Sequence, residues 1–345
     1  MKISFHKETY EARILDPSEG FEEKKLVVEV RTDPFTGAKA RILKHRWRLP
    51  KGSFDQSIIS KSKQKCPFCP ENIEKMTPKF PSDIVAEGRI NHGQSTVIPN
   101  AFPYSRYNGV IIVSKDHFLS LDRFSPEILY DGFQASLLYI NQIRQFDDKV
   151  AYASVNWNYM PSAGGGIIHP HWQIVVDNKP TRFHERLLSQ SLKYHMAEGR
   201  NYWADLISLE KEKKVRYAFQ VGKVVFIAAY APRGMLGEVI AIFERARTLD
   251  EVGQDGWRDF SRGLSEVLAC LHGMGIDSLN MALITNLDNA GHFWAQARII
   301  ARASVPPLGT SDVNYFEKVH EEIIAVISPE ELAERLRLAC AGNLK

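Results

Sequence analysis

Read against itself with a shift of 128 positions, the middle of this chain meets its own second half. Phe102-Pro103-Tyr104 falls on Tyr230-Ala231-Pro232, Gly109 on Gly237, and Leu121-Asp122 on Leu249-Asp250. The apolar run Val110–Val113 falls on Glu238–Ala241, and Asn158 on Asn286. A helix that opens with Ser125 as N-cap and Pro126 at the first helical position falls on a helical pattern from about Gln254 to His272. The match keeps register over some 55 residues. A supersecondary unit repeated in tandem stacks on its own copy, so the repeat limits the fold more tightly than composition does. The expectation is an α+β fold made by tandem duplication, with antiparallel sheets and packed helices. At 345 residues the chain divides into two domains, 1–200 and 201–345.

Within that frame the period-2 and apolar runs predict strands at Val27–Arg31, Ala38–Trp47, Ser95–Pro99, Gly109–Ser114, Ala151–Asn156 and Ile174–Asp177. Residues 50–65 are polar and read as a loop, with Lys61, Lys63 and Lys65 solvated. Helices are expected from Ser125 to about Phe146, over Phe183–Ala197, and from Ser328-Pro329-Glu330 to near Cys340. Residues 1–26 read as an arm with one strand.

The chemistry concentrates in Gly164-Gly-Gly-Ile-Ile-His-Pro-His-Trp-Gln173. Gly164, Gly165 and Gly166 allow a tight turn, or a close approach of backbone N–H groups to an anion. In an extended chain positions i, i+2 and i+4 share a face, so His169, His171 and Gln173 would point one way. Pro170 has no N–H for a ladder, which puts the segment at a strand start or a sheet edge. The alternative is a glycine turn followed by a strand with incidental histidines. In the second copy, after a three-residue shortening, Gln296 and Arg298 take the places of His171 and Gln173. Arg245 takes that of His117. One reactive centre per chain follows.

Cys66-Pro-Phe-Cys69 is a knuckle whose two thiolates can reach one tetrahedral ion, and His117 and His169 are the candidates to complete it. A redox pair, or two buried thiols with unconnected histidines, are the other readings. If His169 holds a metal, His171 is free. A neutral imidazole is a competent nucleophile towards phosphorus. The glycines and Gln173 would then donate to oxygens where charge builds. A carboxamide is no general acid–base, which favours transfer over hydrolysis.

Cys-x-x-Cys, His117 and His-Pro-His-x-Gln together resemble the histidine-triad superfamily, and closely its galactose-1-phosphate uridylyltransferase branch. Arg31-x-Asp-Pro-Phe-Thr-Gly37, Asn100-Ala-Phe-Pro103, the duplicated half and the stretch ending at Arg337 are similar to that branch as well. The resemblance implies that each repeated unit is histidine-triad-like, the first catalytic and the second without the histidines. It implies zinc on Cys66, Cys69, His117 and His169. His171 would become nucleotidylated, with Gln173 as its partner. Asn100, Phe102, Asn158 and the three glycines would contact substrate. The implied reaction is ping-pong between a nucleotide-sugar and a sugar 1-phosphate, with UDP-glucose and hexose 1-phosphate as the default pair. The alternatives are an adenylyl-transferring phosphorylase acting on ADP-glucose or a dinucleoside polyphosphate, and a zinc-stabilised protein that binds nucleotide without catalysis. Ala101 stands where the uridylyltransferases usually carry an acidic residue, and Leu308–Tyr315 replaces their sugar-phosphate loop. Glu185 is a candidate ligand for a further metal, and a homodimer is expected from the family.

A formal charge of +3, with 25% charged and 44% hydrophobic residues, offers no basis for nucleic-acid or membrane binding. No run approaches the roughly 18 apolar residues of a membrane helix. The N-terminal stretch lacks an apolar signal core, and Cys270 and Cys340 stand apart, so a cytoplasmic protein with reduced thiols is expected.

Overall fold

A computed structural model of the chain describes residues 3–43, 56–288, 291–305 and 309–343. The strands, in chain order, are β1 (His6–Asp16), β2 (Glu22–Thr32), β3 (Lys39–Leu43), β4 (Ile90–His92), β5 (Ser95–Pro99), β6 (Tyr107–Ile112), β7 (Tyr152–Tyr159) and β8 (His171–Asp177). They continue with β9 (Tyr217–Val221), β10 (Val224–Ala228), β11 (Glu238–Phe243), β12 (Ser278–Asn286), β13 (Gln296–Arg302), β14 (Ser304–Val305), β15 (Thr310–Ser311) and β16 (Glu322–Ala325). The helices are α1 (Gln56–Lys63), α2 (Ile73–Met76), α3 (Pro126–Phe146), α4 (Arg182–Glu198), α5 (Tyr202–Lys213), α6 (Leu249–Gly273), α7 (Tyr315–His320) and α8 (Pro329–Asn343).

The duplication is visible in one ten-stranded antiparallel sheet. From the β7–β12 seam outward the order is β7-β8-β6-β5-β4 on one side and β12-β13-β11-β10-β9 on the other. Each half therefore has the same strand order, with its long helix, α3 or α6, between the matching strands. A smaller sheet, β1-β2-β3-β16, joins the two ends of the chain, and its β3–β16 pair is parallel.

Ladder register corrects the single shift of 128. Ile112 lies opposite His171, as Ile242 lies opposite Gln296, a step of 130 from Ile112 to Ile242. Asn156 lies opposite Gln173, as Ala282 lies opposite Arg298, a step of 126 from Asn156 to Ala282. Asn158 therefore matches Ile284 and not Asn286. The copies differ in the length of their connections, and loops absorb such differences where ladders cannot.

Other expectations change locally. Part of the arm over 1–26 is β1, paired along its whole length with β2. The loop expected over 50–65 contains α1, and α5, Tyr202–Lys213, follows the helix expected over Phe183–Ala197. The strand expected to reach Trp47 is described to Leu43, and its remainder lies outside the described residues.

The helix α3 forms where its caps predict. Ser125 Oγ accepts from the N–H of Ile128, and Leu129, Phe133, Ser136, Ile140 and Ile143 form the buried face at helical spacing. Gly132 lies against Trp172 of β8, so a Cβ there would sit 2.6 Å from the indole. Gly263 of α6 meets Phe226 in the same way, at 2.3 Å. Both helices use a glycine to bring a large sheet ring close. Gly253 breaks the start of α6, with φ of 65°, so its regular part begins near Gln254.

The two faces of the sheet differ. On one, α3 and α6 cover both halves over a shared apolar core that includes Trp157, Trp172 and Phe260. On the other, α4 and α5 pack over the second half through Leu187, Trp203 and Ile207 against Ile227, Ile242 and Ile284. Over the first half, this second face carries the Cys66–Cys69 segment instead. Among the described residues no helix is long and apolar enough to cross a membrane, and the four cysteines are free and buried.

Candidate functional site

Cys66, Cys69, His117 and His169 converge, with one donor atom from each all within 4.8 Å of one another and every residue buried. The knuckle is held by Asn72, whose backbone N–H donates to Cys69 O at 2.8 Å and whose side chain donates to Cys66 O at 2.8 Å. His169 Nε2 donates to Ser114 O at 2.7 Å, which turns its Nδ1 towards the thiols. His117 is oriented in the same way by Ser62 of α1, 2.8 Å from its Nε2. From Nδ1, His169 lies 3.7 Å from both sulfurs, and His117 lies 3.5 Å from Cys69 Sγ.

These spacings fit a metal. Zinc bonds of about 2.3 Å to sulfur and about 2.1 Å to nitrogen give a tetrahedron with S–N edges of about 3.6 Å. The partner on the far nitrogen of each histidine fixes ring orientation, as around bound zinc. Burial and the neighbouring Cys66 push the Cys69 thiol up to about 12, and burial pulls His169 down to about 4. Two thiols and two imidazoles packed so closely are the set a divalent cation would bind with loss of thiol protons. With four protein ligands there is no open position, so such a centre holds structure. Among the described residues no second group of three or more such side chains could hold an ion, and Glu185 joins none.

His169 itself sits on the bend before β8, and β8 lies inside the sheet between β6 and β7. Pro170 thus marks a strand start and not an edge; its carbonyl accepts from Val113 N–H at 3.0 Å. The expectation that His169, His171 and Gln173 point one way holds only for the last two, which are half-buried at the cavity. His169 is turned inward, fully buried.

His171 and Gln173 line a cavity of about 570 Å³ with Phe68, Asn100, Phe102 and Gly166. His171 Nδ1 donates to the carbonyl of His169 at 2.8 Å. That bond leaves the Nε2 lone pair for the cavity. Burial depresses the imidazole, keeping it neutral near pH 7. The ring of Phe68 stands edge-on to it, 5.3 Å between centroids. Gln173 Oε1 accepts from the Tyr104 hydroxyl, which leaves its NH₂ as a donor.

The loop after β5 is self-braced. Asn100 donates from Nδ2 to Asn108 Oδ1 at 2.8 Å and accepts from Phe102 N–H at 3.0 Å. Phe102 is left 86% exposed at the cavity rim, where a planar ligand would cover it. The glycines divide their work. Gly164 has φ of 86°; a Cβ on Gly165 would meet Asn158 O at 2.7 Å; Gly166 lines the cavity. Asn158 does not line it. Its Oδ1 accepts from Asn280, which also donates to Ala163 O, both within 2.8 Å.

Phe68, Ser62, Asn108 and Asn280 have no role that the sequence alone assigns, and Tyr104 enters there only within the repeat. Phe68, Ser62, Tyr104 and Asn280 act through partners distant in sequence, and Asn108 meets Asn100 only once β5 and β6 pair. In the second half the matching positions are filled. Arg298 donates to Gln296 at 2.9 Å and to Glu238 at 3.0 Å, beneath α4.

No family model matches the sequence. An uncharacterised protein of Archaeoglobus fulgidus is 28% identical over 336 residues, covering 97% of this chain and 98% of its own. An Arabidopsis thaliana ADP-glucose phosphorylase with bound ADP-glucose superposes with a TM-score of 0.68 at 19% identity, covering 90% of this chain and 98% of that one. A uridylyltransferase superposes with a TM-score of 0.65 at 17% identity, covering 92% and 99%. The chain thus has the fold of these transferase and phosphorylase structures.

Proposed function

We propose that the chain is a nucleotidyltransferase that works in two half-reactions through a nucleotidyl group on His171. The observation that carries this reading is the state of His171: Nδ1–H held by the His169 carbonyl, Nε2 facing a cavity large enough for a nucleotide. In the first half-reaction Nε2 attacks the α-phosphorus of a nucleotide-sugar. The P–N bond forms as the P–O bond to the sugar phosphate breaks, and the sugar phosphate leaves as an anion. The imidazole then carries positive charge, which the carbonyl on Nδ1–H stabilises. In the second, an acceptor phosphate oxygen attacks, the P–N bond breaks, and neutral His171 returns.

Gln173 donates through its NH₂ to a phosphoryl oxygen and neither gives nor takes a proton. Phe102, Phe68 and the apolar walls take the base and exclude water. Zinc is the metal we assign to Cys66, Cys69, His117 and His169; when bound it locks the segment whose carbonyl holds His171.

For the substrate pair we propose UDP-glucose and a hexose 1-phosphate. The departure at Ala101 counts against uridine, and the second reading is adenylyl transfer from ADP-glucose to phosphate. Intact-protein mass after brief mixing with UDP-glucose, and separately ADP-glucose, without acceptor, tests both. A gain of one uridine monophosphate supports the first, and one adenosine monophosphate the second. No adduct from either in zinc-loaded protein overturns the mechanism for these donors.

A further inference from the structure

A second cavity, of about 860 Å³, opens between the start of α4, the β10–β11 connection, the turn after β2 and the α7–β16 segment. It shares no lining residue with the His171 cavity. Three arginines reach it, Arg182 and Arg186 from α4 and Arg233 from the β10–β11 connection.

Arg182, Arg186, Arg233, Lys39 and Lys318 line this cavity against Glu317, Glu321 and Glu322, so cations are in excess. Among the described residues the ion pairs of this neighbourhood join Arg298 to Glu238 at 3.0 Å, Arg41 to Glu322 at 2.9 Å and Lys318 to Glu317 at 3.7 Å. None takes Arg182, Arg186 or Arg233. Glu238 is engaged on both oxygens, since the second accepts the backbone N–H of Arg233 at 2.9 Å. The Arg233 guanidinium lies over the ring of Phe183, 4.0 Å from its centroid, which sets its plane without neutralising it. Burial pulls the pKa of Arg233 down, against the carboxylates of Glu238 and Glu317, and Arg298 and Arg186 add like-charge repulsion. Arg182 and Arg186 also stand in the first turns of α4, where the helix dipole disfavours cations. Each of these placements costs stability in the empty cavity, and a bound dianion removes the cost from all of them together.

We propose that this cavity binds a phosphate dianion, free or at the end of a small phosphorylated molecule, as a site separate from the nucleotide cavity. Guanidinium forks match phosphate oxygens two at a time, and the volume is in the range of small-molecule sites. The proposal does not depend on the chemistry of His171.

The test is calorimetric titration of the full chain with inorganic phosphate and, separately, glucose 6-phosphate, with and without saturating UMP and AMP. Binding is expected to persist with both nucleotides present and to weaken as salt is raised. It should fall at least tenfold in Arg186→Ala and in Arg233→Ala while remaining in His171→Ala. Arg186→Gln and Arg233→Gln, closer in volume, carry the test if the alanine proteins fail to fold, with thermal midpoints measured in parallel. Tighter binding of the ester identifies a phosphorylated metabolite, and equal binding identifies the free ion; either supports the site. Binding of neither probe, displacement by the nucleotides, or affinity unmoved by the arginine substitutions overturns it.

Discussion

The imidazole of His171 is held by the backbone of His169: its Nδ1 donates to the His169 carbonyl across 2.8 Å. One histidine faces the buried Cys66–Cys69 knuckle while its own main chain sets the tautomer of the other. A metal centre without an open position would act on chemistry in this way, by holding the segment that holds the nucleophile.

His171→Ala is expected to lose nucleotidyl transfer by roughly 10³-fold or more, as removal of a covalent nucleophile does. Stability should change little, because one hydrogen bond of about 1 kcal/mol is lost. Turnover with nucleotide-sugar and acceptor, read beside nucleotide binding and intact mass, checks it. Retained turnover would show that another group is the nucleophile.

Tyr104→Phe removes the hydroxyl that Gln173 Oε1 accepts and frees the carboxamide to rotate. A hydrogen bond of about 1 kcal/mol corresponds to roughly fivefold in rate. The loss should fall on kcat, with the thermal midpoint unchanged because Tyr104 is 63% exposed. An effect on stability alone would contradict the positioning role.

Cys66→Ala should remove the metal, lower the melting temperature by several degrees and slow transfer, since His169 loses its anchor. About 1 kcal/mol corresponds to roughly 2–4 °C in a domain of 150–250 residues. Metal content by elemental analysis, measured beside the melting curve, is decisive. A variant that binds one zinc per chain with unchanged melting sinks the assignment.

Gly132→Ala places a methyl 2.6 Å from the Trp172 ring and pushes α3 off β8. Overpacking of this kind costs about 1–3 kcal/mol. Urea unfolding measures it. A neutral outcome would mean that the helix slides without cost.

His184 is buried on α4 between the rings of Tyr152 and Phe293, and burial pulls it down to about 4 despite the nearby Asn286 side chain. The unfolded chain protonates this histidine near pH 6.5, before the folded one does. The stability it contributes is therefore whole above about pH 6.5 and falls as pH drops towards about 4, by on the order of 3 kcal/mol. From pH 7 to 6 to 5 the unfolding free energy of the wild type should fall relative to that of His184→Phe. Parallel profiles would contradict the buried neutral state.

Several features are legible in the amino-acid sequence alone. The caps Ser125 and Pro126 placed α3 because capping is local, decided by residues within one turn. The knuckle, His117, His169, His171 and Gln173 stood out because reactive side chains at short spacing are uneconomical as core. The duplication shows through glycines and apolar runs, and its absent histidines are the basis for expecting one reactive centre per chain. The constant shift did not survive, because strands are matched by ladder register and loops by nothing.

The sequence by itself thus determined the duplicated α+β unit, its long helices and which side chains carry reactive nitrogen and sulfur. Only the tertiary structure decided that His169 turns inward while His171 faces the cavity, that Asn158 is spent on Asn280, and that α4 and α5 close over the second half. Those outcomes depend on contacts between residues far apart in the chain, such as Tyr104 with Gln173 or Gly132 with Trp172. No local pattern encodes them, since the free energy of a packed neighbour exists only once the sheet has brought it there.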